Sequence, residues 1–452
     1  MVRSVVAADL TVATTPEAGA HPAPASDPAV RPGLPEAVDI AIIGAGCSGL
    51  ATAVRLAELA DAPSVVVLEG RSTPDPRSWC SWDDGSDPMP EARSASWDRW
   101  EVRTGHGTST GTDPLHPYVL VRASDRRAAA EARTGAGTSV RIVPAAVVRS
   151  VSGGRSTDEP GRPGTRSGGA PAAGALVRST AGTVVAGTVL DARGPRCPDD
   201  VPPGRVLLHQ RFVGHWIRTT APVFDTATVT LMDFVGQRQD GHVAFVYVLP
   251  VSPTSALVES TVFTVDGDDP LDHRAAIAAY VRRRWGLDDS AWSVVEEESG
   301  CIPMTDAPPT ALATRPSTPT GPVRTEVVVG TTRPSSGYGF ARSNRHSVTV
   351  AEHLARGTSV PRFRDRPRTA LLDAVFLRFL RDRPDLAPGV FQRLFALPGP
   401  LVVRFLTERS GVLDDLRIVL ALPKVPFLVA LGVLLVERRP RRRPRRGPRS
   451  AP

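Results

Sequence analysis

The sequence predicts an α/β protein in which a parallel nucleotide-binding sheet is interrupted by an antiparallel sheet and followed by helices. Three observations predict it. Val38-Asp39-Ile40-Ala41-Ile42-Ile43 is too apolar for a half-exposed strand and runs into Gly44-Ala45-Gly46-Cys47-Ser48-Gly49, a G-x-G-x-x-G turn. Between Val206 and Thr264, four β-type segments follow one another across turn residues with no helix between. Beyond residue 361, apolar residues return at helical spacing.

In the first unit each glycine has a physical task. Gly44 makes the tight turn, Gly46 lets a pyrophosphate approach the backbone, and Gly49 allows close helix–strand packing. A helix follows, with Leu50, Ala53, Val54, Leu56 and Ala57 near helical spacing, and its N-terminus offers N–H groups to phosphate. The second strand, Ser64 to Leu68, ends in Glu69, where an acid takes the ribose hydroxyls. A glycine-rich turn in an unrelated α/β protein is the competing reading. The sequence of strand, triplet, helix, strand and acid favours a dinucleotide site.

Composition narrows the partners. The formal charge of +7 is local, because eight arginines lie between Arg438 and Arg449 and leave the body near neutral. The basic residues therefore mark a tail, and the body shows no nucleic-acid surface. Cys47, Cys80, Cys197 and Cys301 lie far apart without metal spacing, so neither a disulfide nor a metal site is expected and a reducing compartment fits. Met1 to Glu36 lacks the apolar core of a signal peptide and reads as a disordered extension over 1–36.

A first nucleotide-binding part is expected over 37–205. It contains Arg77-Ser78-Trp79-Cys80-Ser81-Trp82, whose tryptophans could wall an apolar cleft; Trp97 and Trp100 repeat the spacing, with core packing equally good for them. Residues 152–174, dominated by Gly, Pro, Ser, Arg and Ala, read as a flexible insertion. The strand Thr183 to Leu190 stops at Asp191-Ala192-Arg193-Gly194, an ending that recurs near the flavin in two-dinucleotide-fold flavoproteins.

The four segments 206–218, 227–235, 242–250 and 256–265 read as an antiparallel meander, hence a second domain over 206–305. On the last, Leu257, Glu259, Thr261 and Phe263 share a face. A carboxyl among apolar neighbours has its pKa raised, which makes a general acid at neutral pH. The competing reading is an edge strand with Glu259 in water. Of Glu296-Glu297-Glu298, two acids are expected on a solvated face. Val327 to Gly330 is another buried strand, and the loop Thr331 to Gly339 opens a further helix, closing the nucleotide-binding domain over 306–360. Helices follow over 361–437 and a basic disordered tail over 438–452. Helices from Asp414 to Leu422 and from Val425 to Val436 are broken at Pro423 and Pro426; the apolar run from Pro426 to Val436 is too short to cross a bilayer. Beside the arginines it suits an interfacial anchor, with a buried C-terminal helix as the alternative.

Taken together, Asp39–Leu50, Arg77–Trp82, Asp191–Gly194, Gln210–Gly214, Leu231–Phe234, Phe245–Pro250, Leu257–Thr261, Ile302–Thr305, Pro334–Phe340 and Leu422-Pro423 resemble the flavin-binding lycopene cyclases of carotenoid biosynthesis, bacterial branch. The resemblance implies a two-dinucleotide-fold, FAD-binding Rossmann-like flavoprotein with an antiparallel-sheet substrate domain and a helical C-terminus. It implies FAD held by Gly44, Gly46, Gly49, Glu69, Asp191, Gly194, Gly330, Gly337 and Tyr338, reduced by NAD(P)H. The implied reaction is a non-redox, acid-catalysed closure of the ends of lycopene, or a related linear carotenoid, into β-rings. Glu259 matches the first glutamate of the family's Glu-Glu/Asp-Thr motif, and Asp233 its Met-Asp-Phe motif as a secondary candidate; Trp79, Trp82 and Tyr338 are candidates to line the cation. Ser260 stands where the motif usually carries a second acid. A cytoplasmic enzyme peripheral to the cytoplasmic membrane is expected. The alternatives are an FAD-dependent monooxygenase, halogenase or isoprenoid reductase on a lipophilic substrate, and a non-catalytic carotenoid binder.

Overall fold

The computed structural model describes residues 33–438 except 74, 136, 154–173, 195–196, 238–239, 266–268, 312–324 and 328–330. Most of the expected 1–36 extension, the 152–174 insertion and the 438–452 tail, and all of Val328 to Gly330, lie outside these residues.

The chain runs β1 (Ala37–Ile43), α1 (Cys47–Ala57), β2 (Val65–Leu68), β3 (Ser78–Trp82), β4 (Ala95–Trp97), β5 (Arg99–Thr104), β6 (Gly107–Thr112) and β7 (Tyr118–Arg122). It continues with α2 (Ala123–Arg133), β8 (Val140–Val143), β9 (Val148–Gly153), β10 (Ala175–Ser179), β11 (Gly182–Asp191), β12 (Leu207–Thr219), β13 (Thr228–Asp233), β14 (Val243–Ser252) and β15 (Ser255–Thr264). Then come α3 (His273–Trp285), β16 (Trp292–Thr305), β17 (Thr325–Val327), α4 (Phe340–Ala355), α5 (Pro367–Asp382), α6 (Ala387–Phe395), α7 (Gly399–Leu406), α8 (Val412–Ala421) and α9 (Lys424–Glu437).

The first sheet is ordered β8-β2-β1-β11-β10-β9, with β17 pairing the end of β11. The pairs β8–β2, β2–β1, β1–β11 and β11–β17 are parallel. Both faces of β1 are covered, which is why it is apolar at successive positions: Ile40 and Ile42 pack with α1 and α4, Ala41 and Ile43 with the β9–β10 side.

The second sheet is ordered β16-β12-β15-β14-β13-β5-β6. Its strands fall where the β-type segments were expected, but the connectivity differs from a simple meander. β12 pairs with β15 and β16 rather than β13, and β13 lies parallel to β5. One face carries α3 on Ile217, Val246, Val248, Ala256 and Val258. The other face shares a core with the C-terminal helices and with the aromatic side chains of a small sheet, β3-β7-β4.

Strand pairing also corrects the cysteine reading. β16 runs beside β12, so Cys301 comes within 6.4 Å (Cα–Cα) of Cys197 on the segment entering β12, and the two form a disulfide. Distance along the chain carries no information across an antiparallel ladder. The cysteine argument for a reducing compartment lapses with it. The helix break expected at Pro426 is likewise absent: Pro426 sits in the first turn of α9, where its missing N–H costs nothing. Among the described residues no single helix is long and apolar enough to cross a membrane.

Candidate active site and nucleotide cradle

The glycine turn is shaped by its surroundings. At Gly44 φ is +101°, and a Cβ there would sit 3.1 Å from the Ala192 carbonyl oxygen; at Gly49 a Cβ would sit 2.0 Å from the Gly44 oxygen. Gly46, the N-cap of α1, instead has nothing within 4 Å of that position. α1 has no side-chain cap and no acid in its first turn, so its positive end is uncompensated. Glu69 braces the turn, accepting from the N–H of Ala45 at 2.8 Å and of Arg71 at 2.9 Å, and each oxygen keeps a lone pair.

A second uncapped helix start lies beside the first. α4 begins at Gly339 without a carboxylate in its first turn, and Cys47 Sγ lies 4.0 Å from the Phe340 carbonyl. The preceding loop takes φ +73° at Gly337, where a Cβ would meet Gln210 Oε1 at 2.4 Å. That oxygen is buried without a partner. Asp191 turns into its own loop: its carboxylate accepts from Arg193 Nε at 2.9 Å and Nη2 at 2.6 Å, with Gly194 at φ +86° beyond. Gly330 is outside the described residues. Two adjacent helix N-termini, an open glycine and an orphaned acceptor fit a bound dinucleotide.

The acid side chains are set by strand register. Glu298 pairs with Gly214, Gly214 with Glu259, and Glu259 with Tyr247, so one row crosses β16, β12, β15 and β14 on a single face. Glu259 accepts from Thr261 Oγ1 at 2.8 Å. Burial, and next the charge of Glu298, push its carboxyl up to about 8, while Thr261 pulls the other way. Glu298 is 3% exposed and accepts from Ser78 Oγ at 2.9 Å and Trp216 Nε1 at 3.2 Å. Three of the chain's four tyrosines meet here: Tyr247 donates to Tyr118 at 2.8 Å, and the Tyr118 and Tyr338 hydroxyls lie 3.2 Å apart. Trp82 packs edge-on against Tyr118 and Tyr338 at 4.8 and 5.6 Å. The result is a carboxyl whose protonated form burial favours, beside aromatic faces, an arrangement able to donate a proton and to shelter a cation.

A lycopene cyclase protein family model matches residues 39–431. The chain belongs to the lycopene cyclase family. Among curated relatives, a lycopene beta-cyclase of a Paracoccus species is 32% identical over 267 residues, 56% of this chain and 65% of that protein. One from Pantoea ananas is 28% identical over 288 residues, 58% of this chain and 68% of that protein. The chain thus matches just under two thirds of the Paracoccus protein. Among solved structures, a flavoprotein/dehydrogenase from Cytophaga hutchinsonii superposes with a TM-score of 0.54 at 14% identity, covering 89% of this chain and 99% of that one. A geranylgeranyl bacteriochlorophyll reductase-like protein from Thermoplasma acidophilum gives 0.53 at 12%, covering 88% and 99%. At such identities these structures speak for the flavoprotein fold alone.

Within this lycopene cyclase family member, not every expected site residue converges. Asp233 lies on the α3 face of the second sheet, ion-paired with Arg103 (Nε at 3.0 Å) and accepting from the Tyr280 hydroxyl at 2.9 Å. Its pleat position, paired with Val246 rather than Tyr247, puts it on the opposite face from Glu259. Ser260 also faces away and meets His273 Nδ1 at 2.9 Å, so the missing second acid is not missing from the Glu259 face. Trp79 stacks on Phe340 at 6.2 Å and does not join Trp82, because residues three apart on a strand point to opposite faces. Trp97 and Trp100 are core residues. Sequence reading missed Tyr118, Tyr247, Cys80 and Glu298. The scarcity of tyrosine was the one available signal.

Proposed function

We propose that the protein closes the ends of lycopene, or a related linear carotenoid, into β-rings by proton transfer without net redox change. The observation that carries the reading is Glu259, an acid with its pKa at about 8 next to three tyrosines and Trp82, in a chain of the lycopene cyclase family. Glu259 gives its proton to the terminal alkene, leaving a tertiary cation. The neighbouring alkene supplies the electron pair for the ring C–C bond, and the resulting ring cation loses a proton to the Glu259 carboxylate. One proton enters and one leaves, so the acid is regenerated. Tyr118, Tyr338 and Trp82, of which Tyr118 and Trp82 are fully buried, offer π-faces to the charge.

FAD is the dinucleotide the cradle suits: the α1 N-terminus and Gly44–Gly49 would hold its pyrophosphate, Glu69 its ribose, and Gly337, Tyr338 and Gln210 its ring. Reduced by NAD(P)H, it would supply negative charge beside the cation.

A substrate this apolar resides in lipid. α8 and α9 expose Leu413, Leu416 and Leu420, and Val425, Leu428 and Leu435, each more than half accessible, next to Arg438 and the arginine tail. This supports a peripheral position on the cytoplasmic membrane. Vesicles containing anionic lipid are expected to sediment the protein, and Leu416→Glu with Leu428→Glu to weaken binding about tenfold or more. Equal binding by the double variant would remove the helices from that role.

The function itself is tested by expressing the gene in a lycopene-accumulating bacterium and analysing pigments by HPLC. γ- or β-Carotene is expected. Unchanged lycopene, from folded protein yellow with FAD, would sink the lycopene reading and turn the search to other linear carotenoids and then to redox chemistry.

A further inference from the structure

The gap between the two glutamates is built in. A Cβ at Gly214 would lie 3.2 Å from Glu298 Cγ and 3.5 Å from Glu259 Cβ, and 2.9 Å from Leu257 Cδ1. Nothing but hydrogen therefore separates the two acid stems along the row. The acids differ in their partners. Glu298 takes two donors, Ser78 and Trp216, and Arg122 stacks over the Trp216 ring at 4.7 Å. Glu259 takes only a hydroxyl. Burial raises the carboxyl pKa of Glu298 as it does that of Glu259, but at Glu298 the donors Ser78 and Trp216 and the Arg122 guanidinium pull back toward the ionised form, and at Glu259 only the Thr261 hydroxyl does. The other two acids of the run are spent elsewhere: Glu296 pairs with Arg122, and Glu297 with His215 and Arg274.

We propose that Glu298 is a positioning residue, a fixed negative charge that acts across the Gly214 gap to keep Glu259 protonated at neutral pH. This rests on the proposed cyclisation for its purpose, but the coupling itself is a property of the sheet. Two like charges at this spacing do not both form easily, so the one with more hydrogen-bond donors ionises and the other holds its proton. The titratable groups facing Glu259 are Glu298 on β16, Tyr247 on β14, Tyr118 on β7, Cys80 on β3 and Tyr338 before α4. Burial pushes the tyrosines and Cys80 up, so they stay neutral, and Glu298 alone of these is left to carry charge. Arg77 and Arg122 act on Glu298 rather than Glu259.

The test is Glu298→Gln, which keeps an acceptor for Ser78 and Trp216 and removes the charge. Two quantities are read in the full-length, FAD-loaded protein: the pH profile of cyclisation, and the infrared carbonyl stretch of the protonated carboxyl that Glu259→Gln abolishes. In the parent that band should persist to about pH 8. In Glu298→Gln, band and alkaline limb are expected to move together to lower pH by roughly one unit or more, with activity retained below the new limb. Glu297→Gln, on the other face, should leave both unchanged. An unshifted band in folded Glu298→Gln overturns the proposal, as does a parent band that vanishes near pH 5. Loss of activity at every pH with an unshifted band would make Glu298 a proton carrier instead. If the parent converts no linear carotenoid, the proposed function fails while the infrared titration still decides the coupling.

Discussion

Glu259→Gln is expected to lower cyclisation by about 10²–10⁴-fold while leaving the protein folded and loaded with FAD. The amide cannot give up a proton to an alkene, and no second acid is free to replace it: Asp233 lies under the sheet, and Glu298, which does face Glu259, is tied to Ser78 and Trp216. The stability effect has the opposite sign. A carboxyl at about 8 in the folded state, against an ordinary value of 4.5, binds its proton more tightly when folded. The stability it contributes is therefore complete below pH 4.5 and is lost as pH rises toward 8. At pH 7 the loss is on the order of 3 kcal/mol. Gln carries no such penalty, so the variant should resist urea as well as the parent at low pH and better at pH 7. Loss of activity together with loss of stability would mean that Glu259 holds the sheet together rather than serving as its acid.

The two halves of this site were unequally visible in the sequence. Period-two alternation puts Leu257, Glu259 and Thr261 on one face, and that arithmetic survives folding because a strand cannot slip by one residue without exchanging its faces. The same arithmetic should have separated Trp79 from Trp82, whose spacing of three suits a helix and not a strand. Glu298 was hidden for a different reason. Two of the three acids were expected on a solvated face, but only the register with β12 shows which one points at Gly214. The β5–β6 hairpin was invisible as part of the second sheet because the parallel partner of β5, β13, arrives more than a hundred residues later. Long-range pairing leaves no local pattern. The glycine turn was the opposite case: the close approach of Gly49 to Gly44 is local and follows from the motif's spacing, although the neighbour that crowds Gly44, Ala192, comes from far along the chain.

Asp373→Ala, on α5, should destabilise the loop that reaches the candidate ring site more than any other single change. Arg333, in that loop, is 1% exposed; its Nε and Nη2 donate to Asp373 at 3.2 and 3.1 Å, and its Nη1 donates to the Phe405 carbonyl at 2.7 Å. Ser335 Oγ also donates to Asp373, at 2.6 Å. One carboxylate on α5 thus ties down the segment that carries Gly337 and Tyr338. Removing it strands a guanidinium in the interior, at a cost of about 3–5 kcal/mol, measurable as a lower urea midpoint. The pair as a whole is worth far less than either single deletion suggests, because desolvating both charges offsets most of their attraction. Arg333→Met combined with Asp373→Leu should therefore recover most of the stability lost by Asp373→Ala. FAD affinity separates the two roles. If the ion pair matters for holding the loop, the double variant stays stable yet binds FAD more weakly; unchanged affinity would leave the pair a packing device only.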